Sequence, residues 1–227
     1  MVHLLSIHVP KTAGTSFYRL LKANYPDSIS ESLRREHVFD MQQQQLTLPE
    51  YLPEHVEVVH GHVTLQEAMP LINRDNPRLV AFLRDPVDRV ISNYCYFIDL
   101  LRHPEQQQQN PEVYELNKHR INESIFEYAA MEENRNVMSD FLVGVPLQEF
   151  FFIGLQSTYA TDVKWLAQSL NWRHQTVEQH NVKRHLQEKY VKVDQGLRFY
   201  LRKLNAEDEA LYQEAMALRQ ARGWGQR

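Results

Sequence analysis

The chain has 227 residues, of which 43% are hydrophobic and 24% charged, a composition typical of a globular protein that buries a substantial core. Its 25 Lys and Arg against 29 Asp and Glu exclude a global charge of the kind found in nucleic-acid or membrane-surface binders. The single cysteine, Cys95, excludes an internal disulfide and a cysteine-based zinc site. No stretch approaches the roughly 20 apolar residues of a membrane span, and the chain starts directly on a strand-like run. The sequence therefore predicts a soluble, cytoplasmic protein.

Short apolar runs separated by helix-like sequence organise the chain. Buried strands are predicted at residues 4–9, 56–60, 79–83 and 150–154. Helices are predicted after Ser16, from Pro86, over 121–133, over about 157–170 and 193–204, and over 206–221 with Asn205 as N-cap. This alternation predicts an α/β fold with a central, mostly parallel sheet flanked by helices. Ligands of such sheets bind at the carboxyl ends of the strands.

The loop after the first predicted strand has the composition of an anion site. Small residues between a buried strand and a helix let backbone N–H groups face an anion, and the helix dipole adds to their effect. Lys11 adds a full charge, and Thr15 and Ser16 add hydroxyls. The loop lacks the Walker A pattern, because its lysine precedes Gly14. A plain strand-to-helix turn, with a threonine capping the helix, is the alternative.

A second group of polar residues follows the strand at 79–83. Arg84 ends that strand, and Ser92 lies eight residues further on, about two turns into the next helix. A guanidinium and a hydroxyl placed in this way could hold a second phosphate. The alternative is that Arg84 pairs with Asp85 or Asp88 and that Ser92 is an ordinary helix residue.

The third group is the pair His60 and His62, which flanks Gly61. Residues two apart on a strand project to the same face. Histidine, with an unperturbed pKa of about 6.5, suits the deprotonation of an alcohol near neutral pH. The pair also fits a metal site or two structural histidines, and from these residues alone the three interpretations are comparable.

Together, these segments resemble a known family. Residues 11–16 look like the 5′-phosphosulfate loop of sulfotransferases, and residues 82–94 look like their 3′-phosphate motif with the Arg-to-Ser spacing intact. Residues 59–63 and 152–155 are similar to segments of the heparan sulfate 2-O-sulfotransferase branch. The resemblance covers roughly residues 4–170 and implies a P-loop-like three-layer fold. It also implies a single domain over 1–227, with a nucleotide-binding core over about 1–170 and a C-terminal helical basic segment over about 171–227.

The resemblance also implies an activity. The family transfers a sulfuryl group from 3′-phosphoadenosine 5′-phosphosulfate (PAPS) to an acceptor, usually a hydroxyl, and releases adenosine 3′,5′-bisphosphate (PAP). By position, His62 would be the base, His60 would orient it or contact the acceptor, and Lys11 would neutralise the departing phosphate, with no metal. The residues that would bind the nucleotide are Lys11, Thr12, Ala13, Gly14, Thr15, Ser16, Arg84 and Ser92. A small-molecule kinase of P-loop type and a non-catalytic nucleotide-binding relative are the alternative functions.

A basic segment near the C-terminus provides a prediction about the chemistry of the acceptor substrate. Residues 183–203 contain seven Lys or Arg against two acidic residues, in a chain whose net charge is −4. Lys183 and Arg184 are candidates to cover the 3′-phosphate, as a late basic loop does in the related enzymes. The other cations favour an acidic glycan as acceptor, although a solvated basic helix face is the simpler interpretation.

Overall fold

The structure, a computed structural model, describes residues 1–175 and 190–224, which fall into two compact units. The first unit consists of the described residues within 1–84, 138–180 and 210–227. The second consists of those within 85–137 and 181–209. The single domain expected over 1–227 stays a prediction.

In the described ranges, the first unit is built on a parallel sheet of four strands, β1 (Leu4–Ile7), β2 (Val58–Gly61), β3 (Arg78–Leu83) and β4 (Phe152–Leu155). Their order across the sheet is β2-β1-β3-β4, and each neighbouring pair is parallel. Apart from Arg78, every residue of these strands is buried, as in a sheet covered on both faces. The predicted α/β class is therefore confirmed.

Helices connect and follow the strands. In chain order they are α1 (Gly14–Asn24), α2 (Arg35–Gln43), α3 (Leu48–Tyr51), α4 (Leu65–Asp75), α5 (Pro86–Arg102), α6 (Pro104–Gln109), α7 (Pro111–Asn117), α8 (Ile125–Ala130), α9 (Val137–Leu142), α10 (Tyr159–Ser169), α11 (Gln195–Leu204) and α12 (Ala206–Arg222). In the described part of the chain, every helix falls short of the length and apolar character needed to cross a membrane.

Local sequence explains where the helices that follow β2 and β3 in the chain begin. Helix α5 begins at Pro86, and the Asp85 carboxylate accepts the backbone N–H of Asp88 at 3.0 Å. Helix α4 begins with a reciprocal capping box between Thr64 and Glu67. Each of these helices therefore begins within four residues of the end of a strand.

The segment before α2 covers the free edge of β2. The backbone N–H of Ser30 donates to the carbonyl of Val58 at 2.9 Å, and that of Leu33 donates to the carbonyl of His60 at 2.9 Å. The backbone N–H of His62 returns the contact by donating to the Leu33 carbonyl at 2.7 Å. The sequence did not predict any element here, and the segment brings the start of α2 beside His62.

The second unit differs from the predicted helices in two places. The helix expected over 121–133 is only α8, because the Ser124–Glu127 capping box starts it later and the backbone is extended at Met131. Asn205 does not cap α12 through its side chain, which instead accepts the backbone N–H of Asn136 at 3.0 Å. Asn136 supplies the cap, because its Oδ1 accepts the N–H groups of residues 207 and 208.

A buried ion pair ties α12 to β4 within the first unit. The Arg219 guanidinium donates to the Asp162 carboxylate at 2.7 Å and to the carbonyl of Ile153 at 2.6 Å. Asp162 also accepts the backbone N–H of Leu155 at 2.6 Å. These contacts occupy the carboxyl end of β4, so the polar groups there have a structural role.

Candidate active site at the carboxyl edge of the sheet

Parallel pairing places the ends of β1, β2 and β3 side by side. Ile7 is paired with Gly61 on one side and with Ala81 on the other. The residues that follow these strands, including His8, His62 and Arg84, therefore begin at one edge of the sheet. This is the edge at which ligands of such sheets bind.

The loop between β1 and α1 has an uncommon backbone. Lys11 and Ala13 have φ angles of 70° and 79°, in the left-handed region that non-glycine residues seldom adopt. Such conformations cost about 1–3 kcal/mol each and persist where the surroundings enforce them, often at functional sites. The Thr12 hydroxyl donates to the Val9 carbonyl at 2.8 Å, and Arg84 donates to the Lys11 carbonyl at 3.2 Å. The loop is thus stabilised by one hydrogen bond within it and by a second one from Arg84, which directly follows β3.

The start of α1 supplies backbone donors beside this loop. The first intrahelical bond runs from the N–H of Phe17 to the carbonyl of Ala13, at 3.1 Å. The N–H groups of Gly14, Thr15 and Ser16 precede that bond, so the helix supplies no carbonyl for them. They lie at the positive end of the helix dipole. With the Lys11 ammonium, this donor set has the chemistry that an anionic group requires.

His60 lies inside the protein. Its side chain is 1% exposed, its Nδ1 lies 2.9 Å from the Ser6 hydroxyl, and its ring stacks on that of Tyr18 at 5.5 Å. Burial and the neighbouring His62 lower the pKa of His60, the backbone of Gly14 opposes the shift, and the result is a pKa of about 3. His60 is therefore neutral at physiological pH and is enclosed by protein groups.

His62 lies just beyond β2 and is partly exposed. Its Nδ1 is 2.7 Å from the carbonyl oxygen of His8. A carbonyl only accepts, so Nδ1 carries the proton of the neutral ring and Nε2 keeps its lone pair. Burial lowers the pKa of His62, the bond to His8 opposes this, and the nearby Arg35 and Arg34 lower it further. The ring is thus neutral at pH 7 and can accept a proton at Nε2.

His8 is the residue of this cluster that the sequence analysis missed. Its ring stacks on that of His62 with centroids 4.0 Å apart and lies 5.0 Å from that of His60. Ser6 pairs with His60 in the sheet, so the pattern Ser6-x-His8 runs beside His60-x-His62. Recognising β1 and β2 as parallel neighbours would have revealed the cluster.

The remaining predicted site residues are distributed over both units and the undescribed segment. Arg84 lies in the first unit beside the Lys11 loop, whereas Ser92 lies on α5 in the second unit. Their shared contact to a 3′-phosphate stays a prediction. Lys183 and Arg184 lie outside the described residues.

The described cations of the basic segment are partly neutralised. Arg198 lies 3.2 Å from the carboxylate of Asp88, and Arg202 lies 3.2 Å from that of Glu209. Both pairs are exposed enough to contribute little to stability. They nevertheless reduce the local excess of positive charge that favoured this segment as an acceptor site.

The histidine cluster is not arranged as a metal site. Within residues 1–175 and 190–224, no group of three or more His, Cys, Asp or Glu side chains has the geometry to hold an ion. His8 and His62 are stacked with their rings tilted by 23°, which differs from ligands that converge on one point.

Gly14 is needed for this packing. A Cβ added at Gly14 would lie 1.9 Å from Cδ2 and Nε2 of His8, so the imidazole must move. We expect Gly14→Ala to lower the free energy of unfolding by about 1–3 kcal/mol, as overpacked sites do. Urea denaturation measures this loss.

The matched control is Gly196→Ala on α11. There the nearest atom to an added Cβ is the Asp194 carboxylate at 3.4 Å, and alanine favours a helix. No loss of stability is expected. A Gly14→Ala variant as stable as the parent would show that the His8 ring is not packed against Gly14.

The buried His60 also predicts an acid-sensitive fold. Its folded-state pKa is lowered to about 3, so below pH 6.5 the unfolded chain takes up a proton that the folded protein excludes. Stability therefore falls as the pH falls, by up to about 1.4 kcal/mol per pH unit for this one group. Urea unfolding at several pH values between 7 and 5 measures the slope.

Two variants isolate the contribution of His60. His60→Asn retains a side-chain nitrogen that can contact the Ser6 hydroxyl. We expect this variant to reduce the dependence of the free energy of unfolding on pH by an amount equivalent to the uptake of about one proton. His55→Asn makes the same change at an exposed position and should leave the slope as it is. Equal slopes for His60→Asn and the parent would contradict the buried neutral state.

Comparison with known proteins identifies the family. A sequence model described as the sulfotransferase family matches residues 2–213. Since this match covers most of the chain, the chain belongs to the sulfotransferase family, as the motifs at residues 11–16 and 82–94 predicted. The assignment to the heparan sulfate 2-O branch stays a prediction.

A structural comparison adds one similar protein. The crystal structure of mouse sulfotransferase SULT7A1 complexed with PAP matches at 11% identity with a TM-score of 0.34. The match covers 89% of this chain and 62% of that one, so this chain spans less than two thirds of its length. Among curated protein sequences, none matches significantly.

Proposed function

We propose that this chain is an O-sulfotransferase that moves a sulfuryl group from PAPS to an acceptor hydroxyl, with His62 as the base. One observation carries the proposal. The His62 ring stacks on that of His8, and the His8 ring lies against Gly14, where α1 begins. His62, which can accept a proton, is thus linked through His8 to the start of α1, where an anion can bind, and all three lie in the first unit.

The residues of the β1–α1 loop fit the phosphosulfate of PAPS. PAPS supplies an activated sulfuryl group and departs as PAP. The N–H groups at the start of α1 would donate to an anion bound there, and the Lys11 ammonium would compensate its negative charge. The hydroxyls of Thr15 and Ser16 complete a donor set with the required polarity.

His62 and Lys11 have complementary tasks in the proposed reaction. The Nε2 of His62 takes the proton of the acceptor hydroxyl as its oxygen attacks sulfur in line with the departing phosphate. Nδ1 stays bonded to the His8 carbonyl, which also stabilises the ring once it is protonated. Lys11 stabilises the charge that develops on the phosphate side. Because His60 is enclosed, we assign it the role of supporting this arrangement.

For the acceptor we propose a carbohydrate hydroxyl that has acidic groups nearby. Arg35 lies 3.2 Å from the carbonyl of His62 and is half exposed although it pairs with Glu67. Arg34 is exposed, and both guanidinium groups act on the His62 ring. Cations beside the base would attract a uronate-bearing or already sulfated glycan, an attraction that salt weakens.

The kinase alternative has less support. A kinase of this type requires magnesium ligands, and the two acidic residues that follow Arg84 have other contacts, because Asp85 caps α5 and Asp88 pairs with Arg198. Calorimetric titration separates the two functions, because a sulfotransferase binds PAP in preference to ATP.

Selectivity for the 3′-phosphate provides a test of Arg84. Loss of a charge-assisted contact costs about 1.5–3 kcal/mol, so Arg84→Ala is expected to weaken PAP binding roughly 10- to 150-fold. AMP, which lacks the 3′-phosphate, should lose far less. Arg84→Lys, which keeps the charge, is the control, and Ser92→Ala tests the predicted hydroxyl contact. Equal losses for PAP and AMP would show that Arg84 only supports the Lys11 loop.

A further inference from the structure

His8 contacts both parts of the proposed site. Its backbone N–H donates to the Gly61 carbonyl at 2.8 Å, and its own carbonyl accepts Nδ1 of His62 at 2.7 Å. Its ring lies 4.0 Å from the His62 ring, tilted by 23°. One residue thus holds the ring of His62 by a hydrogen bond at one end and by stacking across its face.

Packing fixes the position of the His8 ring. Its Nδ1 is buried and makes no hydrogen bond to any described residue. Three of its ring atoms would lie within 2.4 Å of a Cβ at Gly14, so the ring occupies the space that glycine leaves open. His62 lies against the ring as well. The orientation of the imidazole is therefore set by its neighbours, Gly14 and His62.

We propose that His8 is a positioning residue for His62. Its ring holds the His62 ring at the angle at which Nδ1–H meets the His8 carbonyl, and this leaves Nε2 unprotonated and directed away from that carbonyl. Because the same ring rests on Gly14, the base is kept in register with the start of α1. The catalytic meaning of this arrangement rests on the proposed function, whereas the tautomer of His62 does not.

The tautomer gives a readout that needs no substrate. Nitrogen NMR of isotope-labelled histidine, at a pH where the ring is neutral, distinguishes the Nδ1–H form from the Nε2–H form. We expect the Nδ1–H form of His62 in the parent and a shift toward Nε2–H in His8→Ala. His8→Leu keeps most of the volume without the flat ring, and it replaces His8→Ala if the smaller side chain unfolds the protein.

Transfer kinetics provide the second readout. A base that is misplaced by a fraction of an ångström should lower kcat roughly 10- to 100-fold, with PAP affinity unchanged. His3→Ala is the matched control, since His3 precedes the other end of β1 and its ring lies 5.5 Å from that of Tyr25. His3→Ala should leave both kcat and the His62 tautomer as they are.

A double-mutant cycle tests the link to Gly14. Gly14→Ala displaces the His8 ring and should therefore shift the His62 tautomer as His8→Ala does. In the His8→Ala background the ring is absent, so adding Gly14→Ala should have little further effect on tautomer or stability. Additive effects of the two changes would contradict the coupling.

The outcomes separate the two proposals. An unchanged His62 tautomer in His8→Ala and His8→Leu would overturn the positioning role, whatever the parent protein catalyses. If the tautomer shifts in the His8 variants but the parent protein transfers no sulfuryl group from PAPS, the positioning role is supported and the proposed function is overturned.

Discussion

His62→Ala is expected to lower kcat for sulfuryl transfer about 10²- to 10⁴-fold, the range for removal of a general base. The reason is that the neutral ring, bonded through Nδ1 to the His8 carbonyl, keeps the Nε2 lone pair that we propose takes the acceptor proton. Affinity for PAP should hardly change, because the residues proposed to bind the nucleotide are those of the β1–α1 loop with Arg84 and Ser92, and not His62. Steady-state kinetics and calorimetry with PAP measure the two quantities separately.

The pH profile and a matched variant strengthen this test. Burial lowers the pKa of His62, so kcat/KM should fall in acid at a lower pH than it would with an unperturbed histidine as the base. His37→Ala removes a histidine from α2, near the same edge of the sheet, and should retain the parental rate. A His62→Ala variant that keeps the parental rate would exclude His62 as the base.

Lys11→Ala is expected to lower transfer by about 10²- to 10³-fold or more, the loss seen when one preorganised stabilising group is removed. In the proposed reaction its ammonium compensates charge at the start of α1. Lys11 adopts a φ of 70°, which alanine can share at similar cost. The fold should persist, because the Thr12–Val9 contact and the buried face of α1 remain. Radiolabelled PAPS and circular dichroism report activity and fold.

Two lysine variants serve as controls. Lys22→Ala removes an exposed cation from the last turn of the same helix and should leave transfer unchanged. Lys11→Arg retains the charge and should recover part of the lost rate. A folded Lys11→Ala variant that turns over near the parental rate would rule out the phosphosulfate-loop assignment.

The strands and their common edge could be predicted because they depend on short-range patterns. Each of the four predicted apolar runs overlaps a strand of the sheet, and Lys11, His62 and Arg84 follow three of these strands. Parallel pairing then requires that these loops share an edge. The motif spacing at residues 11–16 and 82–94 likewise predicted the family that the comparison confirms.

Long-range contacts account for what the sequence analysis missed. His8 gains its place from the pairing of β1 with β2 and from Gly14, which no local pattern around residue 8 indicates. Asn205 directly precedes α12, as predicted, but the side-chain cap comes from Asn136, 70 residues from the start of that helix at Ala206. Arg198 looked like an uncompensated cation because its partner Asp88 is distant in sequence.

The sulfuryl transfer itself is tested most directly by incubating the protein with radiolabelled PAPS and a panel of neutral and acidic glycans, while the release of PAP is followed. The account predicts label on at least one hydroxyl-bearing acceptor, PAP formed in equal amount, and loss of both in Lys11→Ala and His62→Ala. A protein that binds PAP tightly yet labels no acceptor, or that works equally well without Lys11 and His62, would contradict it.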